Sequence, residues 1–320
     1  MRLRNILVAS LATLLASSCA KEPEALASGG VTAGSIEKKL SKGKSVEVTG
    51  RHIEGDLDLS SAGAGLRATP LADVTISGEI VFVNCVFEGR VSARKDREDG
   101  RQTIATRFGS DVSFIGCVFE GDVDFSLSTF MGRIRMEKCT VKGRSKFDGA
   151  RATCGMTLNL TEFEGDASMD GLRLGAGSSL YGVKFRQAAL LPNLWAEDNL
   201  MMADSRFDGI TDFSHIHASG GVNLSNCEFA NRVECRDGYV GGGVTLANAK
   251  FGGVVTCENL FVGGTVRLNS VSASRNIEVS GCVLLKEPDT SGITKSGDAN
   301  IKLENNRISS FPINAAKCES

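Results

Sequence analysis

Five phenylalanines stand at one fixed step of 22 residues: Phe163, Phe185, Phe207, Phe229 and Phe251. Hydrophobic residues recur at the same step in several other columns, a regularity that neither a helical bundle nor a doubly wound α/β domain produces. A period of this length means stacked coils, each burying its apolar faces on its neighbours. The 320 residues therefore read as one long array rather than two ordinary domains. Thirty-seven glycines against five prolines suit many tight corners between short strands.

With the phenylalanine column as position 0, apolar or small residues fall in pairs at −2 and 0, +4 and +6, +9 and +11, and +15 and +17. Column +17 holds Met136, Leu158, Leu180, Met202, Leu224, Leu246 and Leu268, and column +15 holds Ile134, Met156, Leu200, Val222, Val244 and Val266, with Ser178 the exception. Two residues that flank one other lie on the same face of an extended chain, so each pair is a short inward-facing strand. Four such strands close one turn. The register starts with Val46/Val48, Ile53 and Leu57/Leu59, continues with Leu71, Val74/Ile76 and Ile80/Phe82, and runs on to Ile308. Two interruptions are expected, a charged loop after Ala93 and a polar insertion from Glu287 to Asp298. About eleven coils at a strand spacing of about 4.8 Å make a rod on the order of 50 Å long. Position +2 holds Gly89, Gly121, Gly143, Gly165, Gly209 and Gly253, with Gln187 and Asn231 as variants. These glycines are expected where the backbone turns through positive φ.

The N-terminus carries an address. Met1 to Arg4 is basic, and Ile6 to Ala16 is apolar but too short to span a bilayer, as in a secretory signal peptide of residues 1–18. Leu15-Ala-Ser-Ser-Cys19 resembles the lipobox of bacterial lipoproteins. That resemblance implies lipidation at Cys19, export, and anchoring to a bacterial membrane, with the outer membrane facing the periplasm or cell surface as the expected address. Residues 19–34 then form a flexible tether, 35–45 an N-terminal cap, 46–308 the coils, and 309–320 a C-terminal cap or tail. Ser35 to Lys42 has the pattern of a short amphipathic helix opened by a Ser cap, a lid for the exposed strand edge. Phe311-Pro-Ile313 is expected to fold over the other end.

Triplets such as Cys85-Val-Phe87, Cys117-Val-Phe119, Cys227-Glu-Phe229, Ser205-Arg-Phe207 and Ala249-Lys-Phe251 place a small residue two positions before a central Phe. Phe114, Phe119, Phe125 and Phe130 recur at a step near five. This pattern resembles the pentapeptide-repeat family over residues 46–308. The resemblance implies an all-β, right-handed, parallel, quadrilateral β-helix, although that family uses 20 residues per turn where this chain uses 22. It carries almost no information about function.

Ten cysteines in an exported protein invite a disulfide reading. Their columns argue for core thiols instead: Cys85, Cys117 and Cys139 stand at −2 and Cys235 and Cys257 at +6, places that want small apolar side chains. Stacked neighbours such as Cys235 and Cys257 are nonetheless close enough at Cα for a bridge, so both readings stay open. No Cys-x-x-Cys or Cys/His spacing points to a metal, and no cofactor motif is present.

Function must lie on outward positions. Column −1, Glu162, Lys184, Arg206, Glu228 and Lys250, reads as a solvated charge ladder. Column +10 is sharper: Arg151, Arg173, Trp195, His217, Tyr239 and Phe261 follow one another in a chain with one Trp and two Tyr. Asn193, His215, Asp237 and Asn259 at +8 would flank it with polar groups, and Leu190, Pro192 and Met201 add apolar surface nearby. Such a stripe fits either a protein interface or stacking on the sugar rings of an envelope or extracellular glycan. It fits equally a stripe that only stabilises its own sheet. A net charge of −2 with a pI near 6 argues against nucleic acid as the partner. Catalytic residues are not identified, since Asp204, Asp208, Asp212 and Asp237 scatter over corners and faces rather than pairing across a groove. The expected role is a non-enzymatic, membrane-tethered structural or interaction module, with polysaccharide binding the alternative.

Overall fold

The computed structural model describes residues 30–63, 71–97, 100, 102–297 and 299–308. The chain winds as a parallel β-solenoid whose short strands pair only with the coil before and the coil after. Phe163, Phe185, Phe207, Phe229 and Phe251 pair in sequence across successive strands, each step one coil. One face stacks twelve parallel strands, one more than the eleven coils expected, and another stacks eleven with an antiparallel hairpin strand added at its side. Four faces are present, as the four apolar pairs require. The first carries −1 and 0, the second begins at +4, the third carries +10 and +11, and the fourth begins at +15. The fourth face splits into a five-stranded and a four-stranded ladder. The break falls beside Ser178, the one polar residue in column +15. There only an isolated bridge joins Thr157 to Ser179, and the Ser178 hydroxyl donates to the Gly175 carbonyl at 2.7 Å.

The N-terminal cap differs from expectation in one respect. Helix α1, Ala33–Leu40, has Thr32 rather than Ser35 as its N-cap. Ser35 lies inside the first turn and donates from Oγ to the Thr32 carbonyl. The reason is tertiary: Val31–Thr32 is already a strand paired with Ile53–Glu54, so the chain leaves the sheet straight into the helix. Ala33, Ile36 and Leu40 are buried on the first coils. Cys19 and Phe311-Pro-Ile313 lie outside the described residues.

Three further expectations are corrected. Leu71 is exposed, and Ala72, Val74 and Ile76 face inward along the alternating strand Leu71–Ile76. The segment after Ala93 is a β-hairpin rather than a loop, with Arg94–Asp96 antiparallel to Thr103–Ala105. The insertion expected from Glu287 to Asp298 amounts to two residues, which fall between Lys295 and Ile301. Asp289 still pairs with Arg267, and Ser272–Ala273 with Thr294–Lys295, at the regular step. Only the next pairing, Ile277 with Ile301, is two residues longer.

The glycine column was assigned the wrong cause. None of Gly89, Gly121, Gly143, Gly165, Gly209 or Gly253 has positive φ. A Cβ on Gly143 would lie 2.5 Å from the backbone carbon of Gly121 in the coil below, so the corner needs glycine for closeness, not handedness. The left-handed turns fall at two other columns, eleven residues apart. One is −3, with Lys138, Leu160, Asp204, Asn226, Asn248 and Ser270, and the other is +8, with Leu127, Asn193, His215, Asp237 and Asn259. Asn and Asp dominate because their short side chains tolerate this region and bond locally. Here they also bond upward, Asn226 Nδ2 to Asp204 Oδ1 and Asn248 Nδ2 to Asn226 Oδ1, each at 3.0 Å.

Column −2, directly after one of these turns, holds four of the cysteines, Cys85, Cys117, Cys139 and Cys227. Cys139 Sγ donates to the Phe114 carbonyl at 3.3 Å and Cys227 Sγ to the Met202 carbonyl at 3.1 Å. Thr161 and Ser205 occupy the same position and donate to the Met136 and Leu180 carbonyls. At these coils the column holds a small side chain whose donor satisfies a buried carbonyl of the neighbouring coil, while Val183, Ala249 and Val271 fill the same column without one. A neighbouring thiol and burial keep Cys117 protonated, and burial keeps Cys227 so. The Cys117 thiol is pushed up to about 12, first by its contact with Cys139, and the Cys227 thiol up to about 12 by burial. All cysteines among the described residues are free thiols.

The interior is not filled evenly. In the first half Phe82, Phe87, Phe108, Phe114, Phe119, Phe125, Phe130 and Phe147 are fully buried, stacked between coils as in Phe87 on Phe119 at 4.7 Å. In the last coils the inward residues are smaller, and Val244, Val266, Cys235, Cys257 and Val279 line an apolar cavity of about 410 Å³ that reaches Ile308. Replacing Phe163 by Ala in the stacked column is expected to cost about 3–5 kcal/mol. Val266→Leu, which fills part of the cavity, is expected to raise the melting temperature measured by far-UV circular dichroism. A destabilised Val266→Leu protein would show that this space is already occupied.

Candidate functional site

The outward stripe is a single in-register column on the third face. Pairing runs from Arg107 through Thr129, Arg151, Arg173, Trp195, His217, Tyr239 and Phe261 to Val283, one residue per coil. Parallel stacking forces this result, because each residue between the inward pair +9/+11 points out at the same place. The rings lie face to face: Trp195 on His217 at 3.6 Å and 8°, His217 on Tyr239 at 4.8 Å, and Tyr239 on Phe261 at 5.1 Å and 4°. Ring faces inside this ladder are thus used on each other, and edges are what it presents outward. Trp195 is the most open member at 40 % exposure, with the Arg173 guanidinium carbon 5.9 Å from its ring centre on the side away from His217.

The polar residues at +8 do something other than expected. Asn193, His215, Asp237 and Asn259 are the left-handed corner residues described above, and they are tied into the corner. Asn193 Nδ2 donates to Asp170 Oδ1 at 2.8 Å and Asn259 Nδ2 to Asp237 Oδ1 at 3.0 Å. They are exposed next to the stripe, but their first role is to turn the chain. Leu190 and Met201 are exposed as anticipated, whereas Pro192 is half-buried.

The other outward chemistry is structural. Glu162, Lys184, Arg206, Glu228 and Lys250 form the charge ladder expected, strengthened by Arg186 and Asp208. Arg186 reaches Glu162 at 2.7 Å and Asp208 at 3.0 Å, Arg206 reaches Asp208 and Glu228 at 2.6 Å each, and Lys250 reaches Glu228 at 2.7 Å. The cations beside Glu228, Lys250 first, hold its carboxyl below the usual range. The carboxylates once weighed for catalysis are each engaged in the fold. Asp204 accepts from Asn226, Asp208 pairs with two arginines, Asp212 accepts from the Ser214 amide, and Asp237 accepts from Asn259. Among the described residues no cluster of three or more His, Cys, Asp or Glu is arranged to hold a metal ion.

What sequence reasoning did not single out is Arg107 at the cationic end of the stripe. Arg107, Thr129, Arg151, Arg173 and Trp195 line a shallow groove of about 360 Å³, with Met131, Thr153, Gly175 and Glu197 also lining it. Arg151 and Arg173 were visible in column +10, and Arg107 stands in the same column two regular steps of 22 residues before Arg151, with Thr129 between. Gly175 packs close to the preceding coil, since a Cβ there would run into the carbonyl oxygen of Thr153.

Compared with known proteins, the chain matches the family described as Pentapeptide repeats (9 copies) over residues 105–151. That match over one part of the solenoid is consistent with a pentapeptide-repeat β-helix, a fold suited to structural and interaction roles. No curated protein and no solved structure matches the chain.

Burial in the ring stack lowers the pKa of His217. The folded state therefore prefers neutral imidazole, and below the unfolded value of about 6.5 the unfolded chain takes up a proton that the fold refuses. Stability linked to His217 is present above that value and is lost as pH falls towards its folded pKa. Going from about pH 7.5 to about pH 5 is expected to lower the melting temperature of the parent more than that of His217→Gln. Parallel pH profiles would show that the stack does not exclude water from the imidazole.

Proposed function

We propose that this β-helix is a non-enzymatic lipoprotein, tethered to a bacterial membrane through lipid on Cys19, that acts as a structural or protein-interaction module of the cell envelope. The observation that carries the interaction part is the column from Arg107 to Phe261. Elsewhere the rod presents cross-coil ion pairs, which are ordinary solvated surface. Here alone it sets a half-exposed tryptophan between a ring ladder and arginines, the residue types that dominate binding hot spots. Support for the tether is the basic, apolar and small-residue sequence of residues 1–18 followed by Cys19. A lipid tether needs no spanning helix, and no helix among the described residues is long and apolar enough to cross a membrane. The alternative, binding of envelope or extracellular polysaccharide, is favoured specifically by the polar groove beside Trp195.

Two experiments test this reading. Palmitate labelling in cells, with and without globomycin, is expected to mark the parent protein and to fail on Cys19→Ala, and an unlabelled parent would remove the lipid anchor. Cross-linking and capture from the protein's own envelope is expected to recover a partner that Trp195→Ala loses while keeping its melting temperature. If Trp195→Ala retains every captured species, the stripe only stabilises its sheet.

A further inference from the structure

Resting on the reading of the column as an interaction surface, we propose that its arginine end binds a linear polyanionic glycan of the polyuronate class. The strand would lie along the rod axis over Arg107, Arg151 and Arg173 and end against Trp195.

The argument begins with charge. Several coil-to-coil steps match opposite charges: among the described residues fifteen ion pairs are formed, and neighbours 22 residues apart such as Arg144–Asp122 at 2.8 Å and Lys142–Glu120 at 2.9 Å show how the step can be used to match signs. The arginines of column +10, Arg107, Arg151 and Arg173, are not matched in this way. None of them forms an ion pair among the described residues, all three side chains are exposed, and Arg151 sits directly opposite Arg173 on adjacent strands. Like charges directly opposite one another on a sheet destabilise it. Three guanidinium groups without an ion-pair partner, in one register and lining one groove, form a site for anions supplied from outside. Guanidinium is also the side chain whose planar donor fork suits carboxylate.

Geometry then narrows the ligand. The arginines repeat along the rod at multiples of the coil spacing of about 4.8 Å, which is the order of one sugar ring in an extended chain. A ligand must therefore be linear and carry anions at a short regular repeat. Thr129 and Thr153 place hydroxyls along the same groove for sugar hydroxyl groups. At the far end Trp195 borders the groove with the Arg173 guanidinium over the face that does not meet His217, so a sugar there meets the exposed indole edge and Arg173 together, while Glu197 limits the anionic part of the ligand to the arginine end. A single-stranded nucleic acid is disfavoured by the same observations. It needs several ring faces for its bases, whereas His217, Tyr239 and Phe261 spend theirs on one another.

The test uses the full-length protein and its one tryptophan. Titration with polygalacturonate is expected to shift Trp195 emission and to weaken as salt rises, since exposed charges are screened. Arg151→Gln/Arg173→Gln is expected to bind on the order of tenfold more weakly or worse. Its melting temperature should be unchanged or higher, because the substitutions relieve a like-charge contact. Arg151→Lys/Arg173→Lys should bind with intermediate strength. Equal binding of neutral dextran, unaffected by the glutamine pair, would overturn the polyanion assignment while leaving the glycan reading in place. No response to any glycan, together with a protein captured through Trp195, would overturn the inference while sparing the interaction module. A poly(dT) oligonucleotide that binds more tightly than polygalacturonate would overturn it as well.

Discussion

The hydrogen bond from each coil to the next is the interaction on which the rest depends. Leu158 N to Ser179 O, Leu180 N to Met201 O and Met202 N to Asn223 O repeat one pattern, always to the same position of the following coil. Because the pairing is parallel and in register, a side chain's environment is set by its column. An inward column stays inward for the length of the rod, and a corner stays a corner. A slip of one residue would turn every buried pair outward, which is why the register is so strongly specified by the apolar columns. It also explains why the long hairpin Arg94–Ala105 and the two extra residues before Ile301 are tolerated. They bulge from corners without changing which residues face which.

Stacking of like on like has different consequences inside and outside. Inside, it builds the phenylalanine columns, where offset rings gain from contact as well as from burial. It also builds the −2 column, where Cys139, Thr161, Ser205 and Cys227 each satisfy a carbonyl of the neighbouring coil. Towards the C-terminal end the inward residues shrink and the same architecture leaves apolar space, so packing weakens along the rod while the backbone ladder does not. Outside, repetition sets identical or opposite charges against each other at every step. The column of Glu162, Lys184, Arg206, Glu228 and Lys250 nearly resolves this by alternating sign. Column +10 does not, and it is there that Trp195 is exposed between Arg173 and His217. Each surface pair is worth little by itself, so the column stands out through its consistency and not through any large energy.

Much of this was legible in the sequence, and for one reason. A parallel stack maps a fixed period onto fixed directions, so the step of 22 residues assigned the core columns, the charge ladder and the ring column before any coordinates. The cysteines of column −2 were legible as core residues by the same logic. What stayed hidden depends on distances between coils and not on direction. Column +2 carries glycine because the next backbone is too close for a Cβ, as at Gly143 over Gly121, while the left-handed turns sit at Asn226 and Asn259. Direction and closeness select the same residue type, and only the coordinates separate them. Asn193, His215 and Asp237 looked like polar partners for a ligand and prove to be corners.

The sequence by itself determined a parallel coil of four faces and which residues point out of it, because periodicity fixes orientation in a repeating backbone. The tertiary structure alone decided how those outward residues meet. It showed that the rings close on one another and that Arg107, two regular steps before Arg151, joins Arg151 and Arg173 in a groove that ends at Trp195. Contact depends on rotamers and on spacing between coils, and neither is written in a period.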